Sequence, residues 1–237
     1  MENEIVMTGK KGGNKIIIAV LVLLVVIVGG YFALKGGKLG SVASVATVNG
    51  KGISKDTFDT QLKNTLASYG IQNPASTTPD QLSQIKNQVL DNMIDNELLK
   101  QGAASAGITA SSTQVETQYQ TILTQNGGAE GLKAALVKAN LTDAQLRQNI
   151  VDQLVIQAYL LKNIDVSSVT ASDAEIAAFY AQYSAAQKAA GQKTVPALKD
   201  LSAQIKQQII STKENTMVTN FITGLRASAK IATSTAL

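Results

Sequence analysis

The chain has 237 residues, of which 45% are hydrophobic and only 4% aromatic, with no Trp. It contains neither Cys nor His, which excludes disulfides, thiol nucleophiles, Cys/His zinc sites and every His-dependent triad. The formal charge is +4, but residues 1–40 hold five of the 21 basic residues against two of the 17 acidic ones. The remainder is nearly balanced, so it has little electrostatic reason to bind nucleic acid.

The first predicted element is Ile16–Leu34, IIIAVLVLLVVIVGGYFAL, which carries no charge. At about 1.5 Å rise per residue it is close to the length that spans a bilayer. Tyr31 and Phe32 are placed for the interface. Lys10, Lys11 and Lys15 precede the run, and Lys35 and Lys38 follow it. That bias favours the N-terminus inside and the bulk of the chain exported. A cleaved signal peptide is the rival reading, since Ser41-Val42-Ala43 and Ser44-Val45-Ala46 are small-x-small sites. The run exceeds a usual signal core and the sites lie well beyond it, which favours an anchor. The chain thus divides into a cytoplasmic tail (1–15), an anchor (16–34), a Gly/Ser/Lys linker (35–44), a helical domain (45–231) and a tail (232–237).

Ser44–Ile53 reads as a strand and a turn, with Asn49-Gly50 marking a tight turn of positive φ. Ser54 caps a helix carrying Phe58, Leu62 and Leu66 and ending near Tyr69-Gly70. After a polar loop from Asn73, Thr78-Pro79-Asp80-Gln81 opens the next helix as a capping box. Its apolar stripe is Leu82, Ile85, Val89, Met93, Ile94 and Leu98, and Gly102 and Gly107 mark the exit. Ser111 with Gln114, Thr142 with Gln145 and Ser172 with Glu175 start three more helices in the same way. Gly127-Gly128 separates the first of these from a short helix with Leu132 and Leu136. The helix from Thr142 reaches about Ile164, and the one from Ser172 about Ala190. The last helix, from Ala197 to about Ala229, is some thirty residues long, roughly 50 Å. Ala229-Lys230-Ile231 forms a short closing strand.

The order of these features resembles the SurA/PrsA group of extracytoplasmic folding factors. The resemblance rests on Val45–Gly50, Ile53–Phe58, Gln88–Leu99, Ala106–Thr109, Leu141–Arg147, Gln153–Gln157, Val195–Leu198 and Ile205–Ile209, in that order. It covers roughly residues 45–231. It implies a mainly α fold: a SurA N-terminal-like multi-helix domain with a long C-terminal helix, and a minimal two-strand β element joining its ends. Members commonly insert a parvulin-type prolyl isomerase domain between the helix carrying Phe179-Tyr180 and the final helix. Such a domain needs on the order of 100 residues. Only Tyr183–Thr194 intervenes here, and the His residues usual in a parvulin site are absent. The resemblance therefore implies the chaperone part without the isomerase part.

Two faces of the Leu141–Ile164 helix are apolar: Leu146, Ile150, Leu154 and Leu161 on one, Val151, Val155 and Tyr159 on the other. The second face suits a floor for unfolded clients, whereas burial of both faces is the more ordinary arrangement for a central helix. Tyr69, Tyr119, Tyr159, Tyr180 and Tyr183 have the apolar ring and polar tip of adaptable contacts, although half-buried tyrosines commonly serve only packing. Candidate client-binding residues are thus Val151, Val155, Tyr159, Phe179, Tyr180 and Tyr183. Asp91, Asp95 and Glu97 share a helix without a nucleophile beside them and read as a solvated face, in the company of Lys or solvent. Gly9-Lys10-Lys11-Gly12-Gly13 lacks P-loop spacing, and Asn140-Leu141-Thr142 is a lone glycosylation pattern.

These readings predict a membrane-tethered holdase for exported proteins in the bacterial cell envelope, periplasmic or cell-surface. Clients would lie in a cradle between the N-terminal lobe and the last helix. Expected partners are unfolded or partly folded exported proteins and the lipid bilayer, with no nucleic acid, no small-molecule substrate, no metal, no cofactor and no enzymatic activity. The other reading is an adaptor binding one dedicated envelope partner.

Overall fold

The computed structural model describes residues 43–139 and 141–234. The expected anchor, most of the linker and the last three residues lie outside them. Among the described residues no helix is long and apolar enough to cross a membrane. The elements in chain order are β1 (Ser44–Val48), β2 (Lys51–Ser54), α1 (Lys55–Ser68), α2 (Pro79–Ser105), α3 (Ser112–Gln125), α4 (Ala129–Lys138), α5 (Asp143–Asn163), α6 (Asp173–Ala189), α7 (Leu198–Ser228) and β3 (Ile231–Thr233). A 3-10 turn at Pro74–Ser76 occupies the expected polar loop.

The helix starts follow local chemistry. Thr78, Ser111, Thr142 and Ser172 each accept the backbone N–H three residues on, and the Gln or Glu at that position reaches back to the cap residue's own N–H. Each such box satisfies two donors that helix geometry leaves orphaned, and losing the cap residue typically costs about 1 kcal/mol. Ser54 caps α1 through its Oγ, 3.1 Å from the Thr57 amide.

The described residues divide into two units, Ala171–Ser211 and the rest of them. The larger is organised around a three-stranded antiparallel sheet of order β2-β1-β3. The sequence reading expected two strands. The Val45–Val48 and Ile231 segments do pair, with Val48 opposite Ile231 and Ala46 opposite Thr233. The additional strand arises because Asn49-Gly50, both at positive φ (52° and 85°), make a two-residue hairpin turn that folds Lys51–Ser54 back onto β1. Asn49 also closes the fold: it exchanges backbone and side-chain hydrogen bonds with Lys230, each 2.8 Å, and its amide donates to Gln101 Oε1 at 2.9 Å.

Beneath the sheet, Val45, Val48, Ile53, Phe58, Val89, Met93, Ile94 and Leu98 form one buried cluster, with Leu225 and Ile231 packed at its side. The stripe read along α2 is therefore its core face. Gly102 is not at the exit. It lies inside α2, which continues to Ser105, and Gly107 (φ 68°) makes the turn out. Within the helix, Gly102 leaves room for the Tyr159 ring, a close approach that no other residue permits.

α5 packs against α2 and α3. Ile150, Ile156, Tyr159 and Leu160 are buried, while Leu161 is 51% exposed. The face expected to include Leu161 thus turns away from the core at its end, where Ile156, Leu160 and Ile164 carry the buried line at i+4 spacing. Asp91 and Asp95 are likewise not left to Lys or solvent. Arg226, from the last turn of α7, forks onto both carboxylates and donates to the Asp91 carbonyl at 2.9 Å.

In the smaller unit, α6 packs on the first part of α7. Ala171, Ile176 and Ile205 are buried there, with Tyr180, Leu198, Leu201 and Ile209 against them. Tyr180 donates its hydroxyl to the Pro196 carbonyl at 3.0 Å.

Candidate functional site

The six residues chosen from sequence divide between the two units. Val151 and Val155 are half-buried on α5. Tyr159, one turn further, is 9% exposed and seated in the core against Phe221, with ring centroids 5.6 Å apart. On α6, Tyr180 and Tyr183 are half-buried and Phe179 is 37% exposed. The structure does not bring the two groups into one site within either unit.

A different apolar surface emerges in the larger unit, from α3, α4 and the turn into α5. α3 carries Val115, Tyr119, Ile122 and Leu123 along one side, yet none of its residues is fully buried. Its end is forced by Asn126-Gly127-Gly128. The Gly128 and Gly127 amides close onto Leu123 and Thr124 carbonyls at 2.9 and 3.1 Å, with φ of 91° and 79°, a helix stop that glycine alone adopts without strain. The chain turns back and α4 lies beside α3. Leu132 is buried and Leu136 half-buried. Leu141 follows, its amide bonded to the Leu136 carbonyl at 2.9 Å.

Ten residues of α4 are too few to cover this side, and an open groove of about 340 Å³ remains. It is lined by Tyr119 and Leu123 from α3, Leu132, Lys133, Leu136 and Val137 from α4, and then Leu141 and Asp143. Val137 is 74% exposed, the highest value among the large hydrophobic residues described. Such exposure of apolar side chains around a concavity is what a binding surface requires.

One wall of the groove is held by charge. The Arg147 guanidinium lies 3.8 Å above the Tyr119 ring centroid, a favourable cation–π geometry. It donates to Asp143 Oδ2 at 3.2 Å and to Glu116 Oε2 at 2.7 Å. The Tyr119 hydroxyl donates to Asp143 Oδ1, and that bond to a carboxylate holds the phenol above its ordinary pKa. Hydrogen bonds from Gln120 and Arg147 hold Glu116 below the usual carboxylate range. Tyr119 is therefore fixed in orientation at the rim.

The groove holds no nucleophile–base pair, and among the described residues no group of His, Cys, Asp and Glu could hold a metal ion. Of the groove's members, sequence reasoning singled out Tyr119, Leu132 and Leu136 but not Val137. The available signal was the Gly-Gly stop followed by a helix too short to cover its neighbour.

The family model of the SurA-like N-terminal domain matches residues 6–128, about half of the chain. The match takes in α1, α2, α3 and the first two strands. Chaperone SurA of Thiobacillus denitrificans is 34% identical over 93 residues, covering 39% of this chain and 21% of that protein. The chain thus spans about a fifth of the length of that curated relative. Among the described residues there is no parvulin-like domain, and only residues 190–197 separate α6 from α7.

Proposed function

This chain belongs to the SurA-like N-terminal domain family, and from that premise we propose that it is a chaperone that holds unfolded exported polypeptides while tethered to a membrane. The observation that carries the reading beyond family membership is the open apolar groove of α3 and α4, with Val137 exposed on its rim. Reversible burial of client apolar segments there requires neither nucleotide nor metal. At about 25 cal/mol per Å² of apolar surface, a few buried side chains give binding that is weak and easily reversed, as holding without folding demands. Phe179, Tyr180 and Tyr183 on the smaller unit offer a second set of contacts, and Val151 and Val155 flank the core of the larger one.

The full chain in lipid nanodiscs should suppress aggregation of several unrelated unfolded proteins without accelerating proline-limited refolding. Val137→Asp should weaken suppression several-fold while the helical signal is retained. If aggregation of every client is unchanged at stoichiometric excess, the chain is instead an adaptor for one dedicated envelope partner. A refolding rate that climbs in proportion to added chain would contradict the non-catalytic reading.

Tethering is supported by the uncharged Ile16–Leu34 run with its three preceding lysines. The domain is then extracytoplasmic, and protease added to intact spheroplasts should digest it. Protection until lysis would reverse the topology.

A further inference from the structure

The groove carries two charged side chains in its lining, Lys133 and Asp143, and they are not equivalent. Asp143 is already engaged by the Tyr119 hydroxyl and by Arg147, and Arg147 in turn by Glu116. Lys133 is exposed on α4 and forms no ion pair among the described residues. It stands one helical turn before Val137, on the same side of α4. Its ammonium is therefore the one lining charge still free to meet a ligand. The next basic residue of that helix, Lys138, adjoins Val137 in sequence and is also exposed; Glu130, at the helix start, lies outside the lining.

Resting on the chaperone reading, we propose that the groove selects, among apolar segments of unfolded polypeptides, those flanked by acidic residues over those flanked by basic ones. The volume supports a segment rather than a folded partner. About 340 Å³ is at the small end of ligand pockets, roughly 300–1,000 Å³, and admits a few side chains. The apolar lining takes those side chains, and Lys133, exposed in that lining, presents a charge beside them. An acidic flank there meets an unengaged cation, while a basic flank meets like charge. At an exposed site such a charge alters affinity only modestly, and its main effect is discrimination.

The test uses the full chain in zwitterionic nanodiscs, with empty nanodiscs as blank. The probes are three labelled peptides that share one apolar core and carry Glu, Ser or Lys on both sides. The Glu-flanked peptide should bind roughly three- to fivefold tighter than the Lys-flanked one at low salt, and the gap should close near 1 M salt. Lys133→Glu should reverse the order. Lys133→Met should abolish the difference between the Glu-flanked and Lys-flanked peptides. Equal binding of all three peptides, or a preference indifferent to Lys133→Glu, overturns the selectivity and leaves the chaperone reading standing. If none of the three binds, the groove is not a client site and the inference falls with it. A circular dichroism spectrum matching the parent chain shows that each variant has folded.

Discussion

Gly102→Ala should lower the free energy of unfolding by about 2 kcal/mol, read as a shift of midpoint at constant slope in a urea titration. The expected sign is opposite to intrinsic preference, because Ala in place of Gly within a helix ordinarily adds roughly 0.5–1 kcal/mol. A Cβ at position 102 would lie 2.5 Å from Tyr159 Oη and 2.6 Å from Cζ, closer than carbon tolerates. The ring is stiff, buried and backed by Phe221, so relief requires α2 and α5 to move apart. Shortening the opposing side chain tests the cause. Gly102→Ala combined with Tyr159→Leu should be less destabilised than the two single changes added together. A raised midpoint for Gly102→Ala alone would show that the ring yields freely.

Arg226→Met should cost about 1–2 kcal/mol, since charge-assisted hydrogen bonds to two carboxylates and a carbonyl are lost at a partly exposed site. Met keeps most of the apolar stem, so the loss reports the fork itself. The same change has a signed effect on titration. Burial raises the Asp95 carboxyl above its ordinary value, and the hydrogen bond and charge of Arg226 oppose that rise. With the folded pKa above the unfolded one of about 3.9, the native state binds more protons between the two. Lowering pH through that window therefore adds stability from this group, and raising it removes that stability. Without Arg226 the Asp95 pKa should rise further and the window widen. A carboxyl-carbon NMR titration in which Asp95 instead falls would refute the assignment.

Neither of these contacts was legible in the sequence, whereas the local signals were. Polar capping residues announce helix starts because the cap acts on amides two and three residues away. Thr78, Ser111, Thr142 and Ser172 could thus be read directly, as could the Asn49-Gly50 turn. The α2 stripe and the pairing of Val45–Val48 with the segment at Ile231 also followed, because apolar spacing and unpaired backbone groups demand partners. The absence of Cys and His had already removed whole classes of chemistry.

What the sequence could not contain was which neighbour each surface meets. Gly102 reads as a stop signal until Tyr159 is seen lying against it. Asp91 and Asp95 read as solvated until Arg226, more than 130 residues away, reaches them. Tyr159 reads as a candidate client contact yet is seated in the core, whereas Val137, which no sequence pattern singled out, is 74% exposed. Burial is a property of the packing of several helices at once, and the periodicity of one helix indicates that a face is apolar without indicating what covers it. In this protein the order of the helices and their caps were determined locally, whereas the closing strand, read over Ala229–Ile231, runs over Ile231–Thr233. The groove exists because α4 is too short to cover α3, which only the tertiary arrangement decides.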